Sequence, residues 1–153
     1  MKRLLMSGLL LSMTPALAGG ADFSPTAFEL SLQREACYGT CPVYTVQVNG
    51  NGAVLWTGER WVQQVGKLRA TVNPAAVKRL QQAVKAANFF VLKDEYLDMP
   101  VTDLPYATLE VRQGMQHKTV HYYLGDPNVP PALLNLAKQA DLELGTAAWI
   151  GQR

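Results

Sequence analysis

Cys37 and Cys41 close the run Cys37-Tyr38-Gly39-Thr40-Cys41-Pro42-Val43-Tyr44, and a pair so near in sequence can either cycle as a redox dithiol or lock as a structural disulfide. Thiol oxidoreductases place two residues between their cysteines and set the first at a helix N-terminus, where the helix lowers the thiol pKa. Here three residues intervene, and Pro42 to Val48 has the alternation of a strand. A structural disulfide is therefore expected. Closing so small a ring adds about 2 kcal/mol of loop entropy, so its larger effect is to fix the loop around Tyr38 and Gly39.

His117 and His121 have the i, i+4 spacing that holds zinc when both lie on one helix. They fall in a strand pattern instead, where four residues span about 13 Å, too far to share an ion. Asp94, Glu95, Asp98 and Asp103 crowd one segment but lack the alternating ligands, central glycine and closing glutamate of a calcium loop. Asn49-Gly50-Asn51-Gly52 lacks the lysine of a phosphate loop and reads as a hairpin turn. No serine-nucleophile motif is present, so no catalytic set, cofactor site or metal site is expected. Tyr38, Tyr44, Trp56, Trp61, Tyr122 and Tyr123 are aromatics that can build either a contact patch or a core, and core is the default.

The elements that position these residues begin after an N-terminal stretch with the three parts of an export signal. Lys2 and Arg3 give a basic start, Leu4 to Met13 an apolar run, and Ala16-Leu17-Ala18 a small-x-small cleavage site. Residues 1–18 are thus expected to be removed before Gly19, with 19–26 a mobile leader carrying Pro25. The run is too short to span a membrane. Gly20 stands where a lipoprotein would carry its anchor cysteine, so neither a membrane span nor a lipid anchor is expected. The chain has 14 Lys plus Arg against 12 Asp plus Glu; without Lys2 and Arg3 the two balance. A neutral mature chain offers no electrostatic footprint for nucleic acid or a membrane surface. Its 135 residues suit one domain, expected over 27–150.

Alternation of apolar and polar residues predicts strands at 28–33, 44–48 and 53–57, with a turn at Gly58–Arg60 and a further strand from Trp61 that is interrupted at Gly66 and runs on to Val72. Asn73-Pro74 predicts a helix start, and Val77, Leu80, Val84 and Ala87 form its apolar stripe. Residues 93–105, acidic and with two prolines, are predicted to be a loop. Ala107, Leu109 and Val111, then Val120, Tyr122 and Leu124, predict a second hairpin. A final helix is predicted from Ala132 to Leu144, buried through Leu133, Leu136, Ala140 and Leu144 and ended by Gly145, with Trp149 and Ile150 folding back. These elements predict an α+β two-layer sandwich: a largely antiparallel sheet with two helices on one face.

The strand Phe28 to Arg34 leading into Cys37-x-Gly39-x-Cys41-Pro42-Val43-Tyr44, then Gly52, Gly58, Asn73-Pro74 and Thr102-Asp103-Leu104-Pro105, carry a resemblance. On these residues the chain resembles the bacterial exported domains catalogued as domain of unknown function 6438, over about 27–150. The resemblance implies no activity and no catalytic residues; it draws attention to Asp103, a common turn-capping type. Many such domains look lipid-anchored, and this chain departs by lacking the anchor cysteine.

The expected function is that of a non-catalytic periplasmic or secreted domain that binds an unidentified protein or cell-envelope partner through an exposed sheet face or the stapled loop, with Tyr38, Gly39, Tyr44, Trp61 and Asp103 as contact candidates. The alternatives are an enzyme, either a thiol–disulfide oxidoreductase using the cysteines or a hydrolase using Asp103 with a histidine, and a protease-inhibitor-like module presenting the stapled loop.

Overall fold

Period-two alternation produces strands β1 (Phe28–Arg34), β2 (Val43–Asn49), β3 (Ala53–Arg60) and β4 (Gly66–Thr71) in the first half of the chain. In the second half it produces β6 (Tyr106–Gln113) and β7 (Gln116–Tyr123), with the two-residue β5 (Glu95–Tyr96) before them. The computed structural model describes residues 27–98 and 103–151. The signal at 1–18, the leader at 19–26 and Thr102 lie outside the described residues.

Among the described residues the strands form a seven-stranded sheet in the order β4-β3-β2-β1-β6-β7-β5. Every pairing is antiparallel except β5 with β7. The register sets Leu30 beside Val48 and Val111, and Leu32 beside Val46 and Leu109. Trp56 and Val120 extend the second row. Opposed residues share a face, so one face is continuously apolar and buried. The other carries Glu29, Ser31, Gln47, Glu110 and Arg112.

Helix α1 (Pro74–Ala86) starts where Asn73 Oδ1 accepts a hydrogen bond from Ala76 N at 2.8 Å, a cap that contributes about 1 kcal/mol. Its Val77, Leu80 and Val84 enter the core. Helix α2 (Pro131–Leu144) buries Leu133, Leu136, Ala137, Ala140 and Leu144, and ends at Gly145 in the left-handed region, φ 69°. Both stripes join the sheet's apolar face in one core. Arg79 forks onto Glu143 with two 2.6 Å hydrogen bonds, tying α1 to α2. A single-turn α3 (Ala147–Ile150) brings Trp149 and Ile150 against the core as expected. The structure is the α+β architecture read from the alternation.

Two local predictions need correction. Gly58 is not a turn residue: β3 runs through it to Arg60, and the reversal comes at 61–65, where a strand was expected. A Cβ on Gly58 would stand 2.0 Å from the Gln64 carbonyl oxygen, so the missing side chain admits the turn that folds back over β3. Within the 93–105 segment, Glu95 and Tyr96 pair with His121 and Tyr122 as a short sheet edge rather than plain loop.

The exits of β1, β3 and β7 and the entries of β2, β4 and β6 lie at one end of the sheet. Arg34 faces Tyr44 and Ala107, Val43 faces Arg60, and Tyr106 faces Tyr123. That end therefore gathers the cysteine loop, the 61–65 turn and the segment ending at Pro105.

Candidate functional site

Cys37 and Cys41 are joined by a disulfide, with Cα atoms 5.7 Å apart. The loop is tied to the sheet where Glu35 N donates to Tyr106 O at 3.0 Å, and Gly39 N donates back to Cys37 O at 2.9 Å. Gly39 adopts φ 152°, a conformation side chains disfavour. The ring leaves Tyr38 86% exposed. Cys41 leads into β2, not a helix, so neither sulfur has the helix N-terminus that activates redox thiols.

Beside it, the 61–65 turn is held from below. Trp56 Nε1 donates to Gln64 O at 2.8 Å, while Gln63 N and Gln64 N donate to Ile150 O and Trp149 O. Trp61 sits at φ 56° and is 53% exposed. A bulky residue in the left-handed region costs about 1–3 kcal/mol, which the surrounding hydrogen bonds must offset. Asp103 and Leu104 are exposed at the same end; Leu104 N lies 3.4 Å from the Tyr123 hydroxyl, and Leu124 N donates to Pro105 O.

Tyr44 differs from the expectation. Its ring is 2% exposed because it shares the core face with Val46 and Val48, so it does not reach the surface that presents Tyr38, Gly39, Trp61 and Asp103. It stacks on Trp56 at 4.6 Å, and Trp56 meets Trp149 at 5.3 Å. Its hydroxyl donates to Asp141 Oδ1 at 2.6 Å. The other oxygen, Oδ2, accepts from Arg34 Nη2 at 2.8 Å, and the Thr146 hydroxyl lies 3.0 Å from Oδ1. Beneath the exposed loops there is thus a half-buried polar cluster that sequence reasoning missed.

Burial weakens the case for charge on Arg34, but the Asp141 carboxylate outweighs it and the guanidinium pKa is raised. Burial, then Asp141, push the Tyr44 phenol up, with Arg34 opposing. Burial likewise raises Tyr122, again opposed by Arg34. The Tyr122 hydroxyl makes no aligned hydrogen bond among the described residues, although Arg34 is close enough to act on its charge. Arg34, Tyr44 and Thr146 all meet the Asp141 carboxylate, which ties the end of β1 and the start of β2 to the end of α2.

The histidines are dispersed on the open face. His117 Nε2 lies 2.7 Å from Glu110 Oε1. His121 Nε2 lies 3.2 Å from Glu35 Oε1, an ion-pair distance without hydrogen-bond alignment. They face Arg112 and Thr108 respectively across β6. The loop acids also part company: Asp94 pairs with Lys118, and Asp98 N donates to Asp126. Among the described residues no three His, Cys, Asp or Glu side chains converge to hold a metal. Asp126, 4% exposed, also accepts from Asn128 N at 2.8 Å; it is a loop clamp that no sequence pattern marked. A depression of about 270 Å³ on the open face is lined by Glu29, Ser31, Gln47, Leu55, Arg69 and Arg112, among others.

A family model described as Domain of unknown function (DUF6438) matches residues 28–143, which take in the disulfide loop, the whole sheet and nearly all of α2. No curated protein matches the chain.

Proposed function

The chain belongs to the DUF6438 family, and we propose that it is an exported, non-catalytic binding domain, folded as one unit over residues 27–150, whose contact surface is the disulfide end of the sheet. The observation that carries this reading is Tyr38, an aromatic side chain 86% exposed on a loop closed by a disulfide. A loop whose backbone is closed before binding loses less entropy on contact, and tyrosine brings both apolar area and a hydroxyl. Trp61, Leu104 and Asp103 flank the same end, so an aromatic anchor has apolar and acidic neighbours. The disulfide supports an oxidising compartment, and residues 1–18 have the pattern of a cleaved signal; periplasm or secretion is the location proposed. No helix among the described residues is long and apolar enough to cross a membrane. The partner is a protein or other cell-envelope component.

The test is capture from periplasmic extract by immobilised chain beginning at Gly19, comparing wild type with Tyr38→Ala, with Cys37→Ser combined with Cys41→Ser, and with His121→Ala. Loss of an aromatic anchor costs about 2 kcal/mol, roughly 30-fold in Kd. Tyr38→Ala should therefore deplete the captured partner, the cysteine variant should weaken it, and His121→Ala should leave it unchanged. An activity abolished by His121→Ala and kept by the cysteine variant would reverse the reading.

A further inference from the structure

The sheet has unequal edges. One is closed by the two residues of β5, whereas the other is β4, six residues long, with neither proline nor bulge in its pairing to β3. No strand borders its outer side among the described residues, so alternate N–H and C=O groups of Gly66 to Thr71 point away from the sheet. Such an edge is a template for an added strand unless its side chains forbid it.

Those side chains forbid one occupant and favour another. The register with β3 puts Lys67 opposite Thr57 and Arg69 opposite Leu55 on the open face, and Leu68 opposite Trp56 and Ala70 opposite Val54 on the helix-covered face. Suppose a second copy added its own β4 antiparallel while keeping both helix layers on one side. The two registers that overlap by five residues then set Lys67 against Arg69, or Arg69 against Arg69. Like charges directly opposite are destabilising. On the other face, Leu68 and Ala70 are only partly buried while packing against the core, so the apolar stripe ends at this edge half covered.

We infer that β4 accepts an extended segment of another polypeptide in which acidic residues alternate with apolar ones, added as an eighth strand. Main-chain hydrogen bonds supply the affinity, and the alternate side chains supply the selection. Its acids face Lys67 and Arg69, and its apolar residues continue the stripe past Leu68 and Ala70. This edge is separate from the Tyr38 surface, and the inference stands whether or not that surface binds.

The probe is a short blocked peptide alternating Glu and Val, titrated into the oxidised full-length mature chain and followed by backbone amide resonances. Shifts and slowed amide exchange confined to β4 are expected. Lys67→Glu combined with Arg69→Glu, both on exposed side chains, should weaken the peptide by about tenfold or more and should instead bind a peptide alternating Lys and Val. A Glu/Val peptide methylated on alternate backbone nitrogens, keeping its charge but losing its donors, should fail to bind. The inference is overturned if the methylated peptide binds equally well, if the shifts fall away from β4, if no peptide binds, or if the chain without peptide sediments as a dimer with its β4 amides already protected from exchange.

Discussion

Arg34 Nη2 lies 2.8 Å from Asp141 Oδ2, joining the last residue of β1 to the last turns of α2 across most of the chain. Arg34 stands three residues before Cys37, so the strand end from which the disulfide loop departs is held to α2 by an ion pair. Its side chains are 15% and 24% exposed, which leaves the pair only partly screened by water.

Breaking such a pair leaves an uncompensated charge in a half-dry site, at a cost of about 3 kcal/mol. Arg34→Met should therefore lower the urea-unfolding free energy at pH 7 by about that amount. Adding Asp141→Asn removes the stranded charge but keeps an oxygen for the Tyr44 hydroxyl, and should restore about 1 kcal/mol. No recovery would mean that the loss does not come from a stranded charge on Asp141.

The strands were legible because Phe28, Leu30 and Leu32, and later Ala107, Leu109 and Val111, alternate without interruption, and the helices because Asn73-Pro74 and Gly145 punctuate clean stripes. What escaped was hidden by residue type rather than by position. Arg34 continues the parity of 28, 30 and 32, and Asp141 continues the α2 stripe of 133, 136, 137, 140 and 144; a cation and an acid on two apolar stripes are the signal that could have found the pair. Tyr44 shares parity with Val46 and Val48, and that placed it in the core. The turn after β3 was misplaced because glycine signals a reversal when read locally, whereas Gly58 is needed for the close approach of Gln64, a contact no local pattern reveals.

Gly58→Ala should test that contact. Its Cβ would lie 2.0 Å from Gln64 O and 2.9 Å from Trp56 Nε1, so the turn must lift and the Trp56 hydrogen bond must stretch. A loss of about 1–3 kcal/mol is expected, as for other overpacked sites, together with a changed near-ultraviolet dichroism from the Trp56 environment. Gly50→Ala is the control. Its nearest neighbour would be Phe28 N at 3.5 Å, an ordinary contact, and its effect should stay within about 0.5 kcal/mol.

Leu80 is fully buried at the centre of α1, where the helix meets the sheet. Leu80→Ala should cost about 2–5 kcal/mol in the same unfolding measurement, from lost transfer energy plus the cavity left behind. A surface-like effect would mean that α1 does not pack through this stripe.

Alkaline pH should unfold the chain through its buried phenols. Tyr44 and Tyr122 are both raised above the ordinary value of 10.0, by burial first. Below that value the folded and unfolded chains both keep these protons, and the stabilisation is fully present. Above it the unfolded chain releases them while the folded chain holds them, so the unfolded state binds fewer protons and stability falls with rising pH. Unfolding free energy should thus decline from about pH 10 upward, and phenolate absorbance from these two rings should emerge with unfolding rather than before it. Tyr44→Phe removes one of the two groups and should flatten the decline, while costing stability near neutral pH because Asp141 loses its hydroxyl donor. An unchanged alkaline slope in that variant would place the decline on other groups and remove Tyr44 from the buried cluster's energetics.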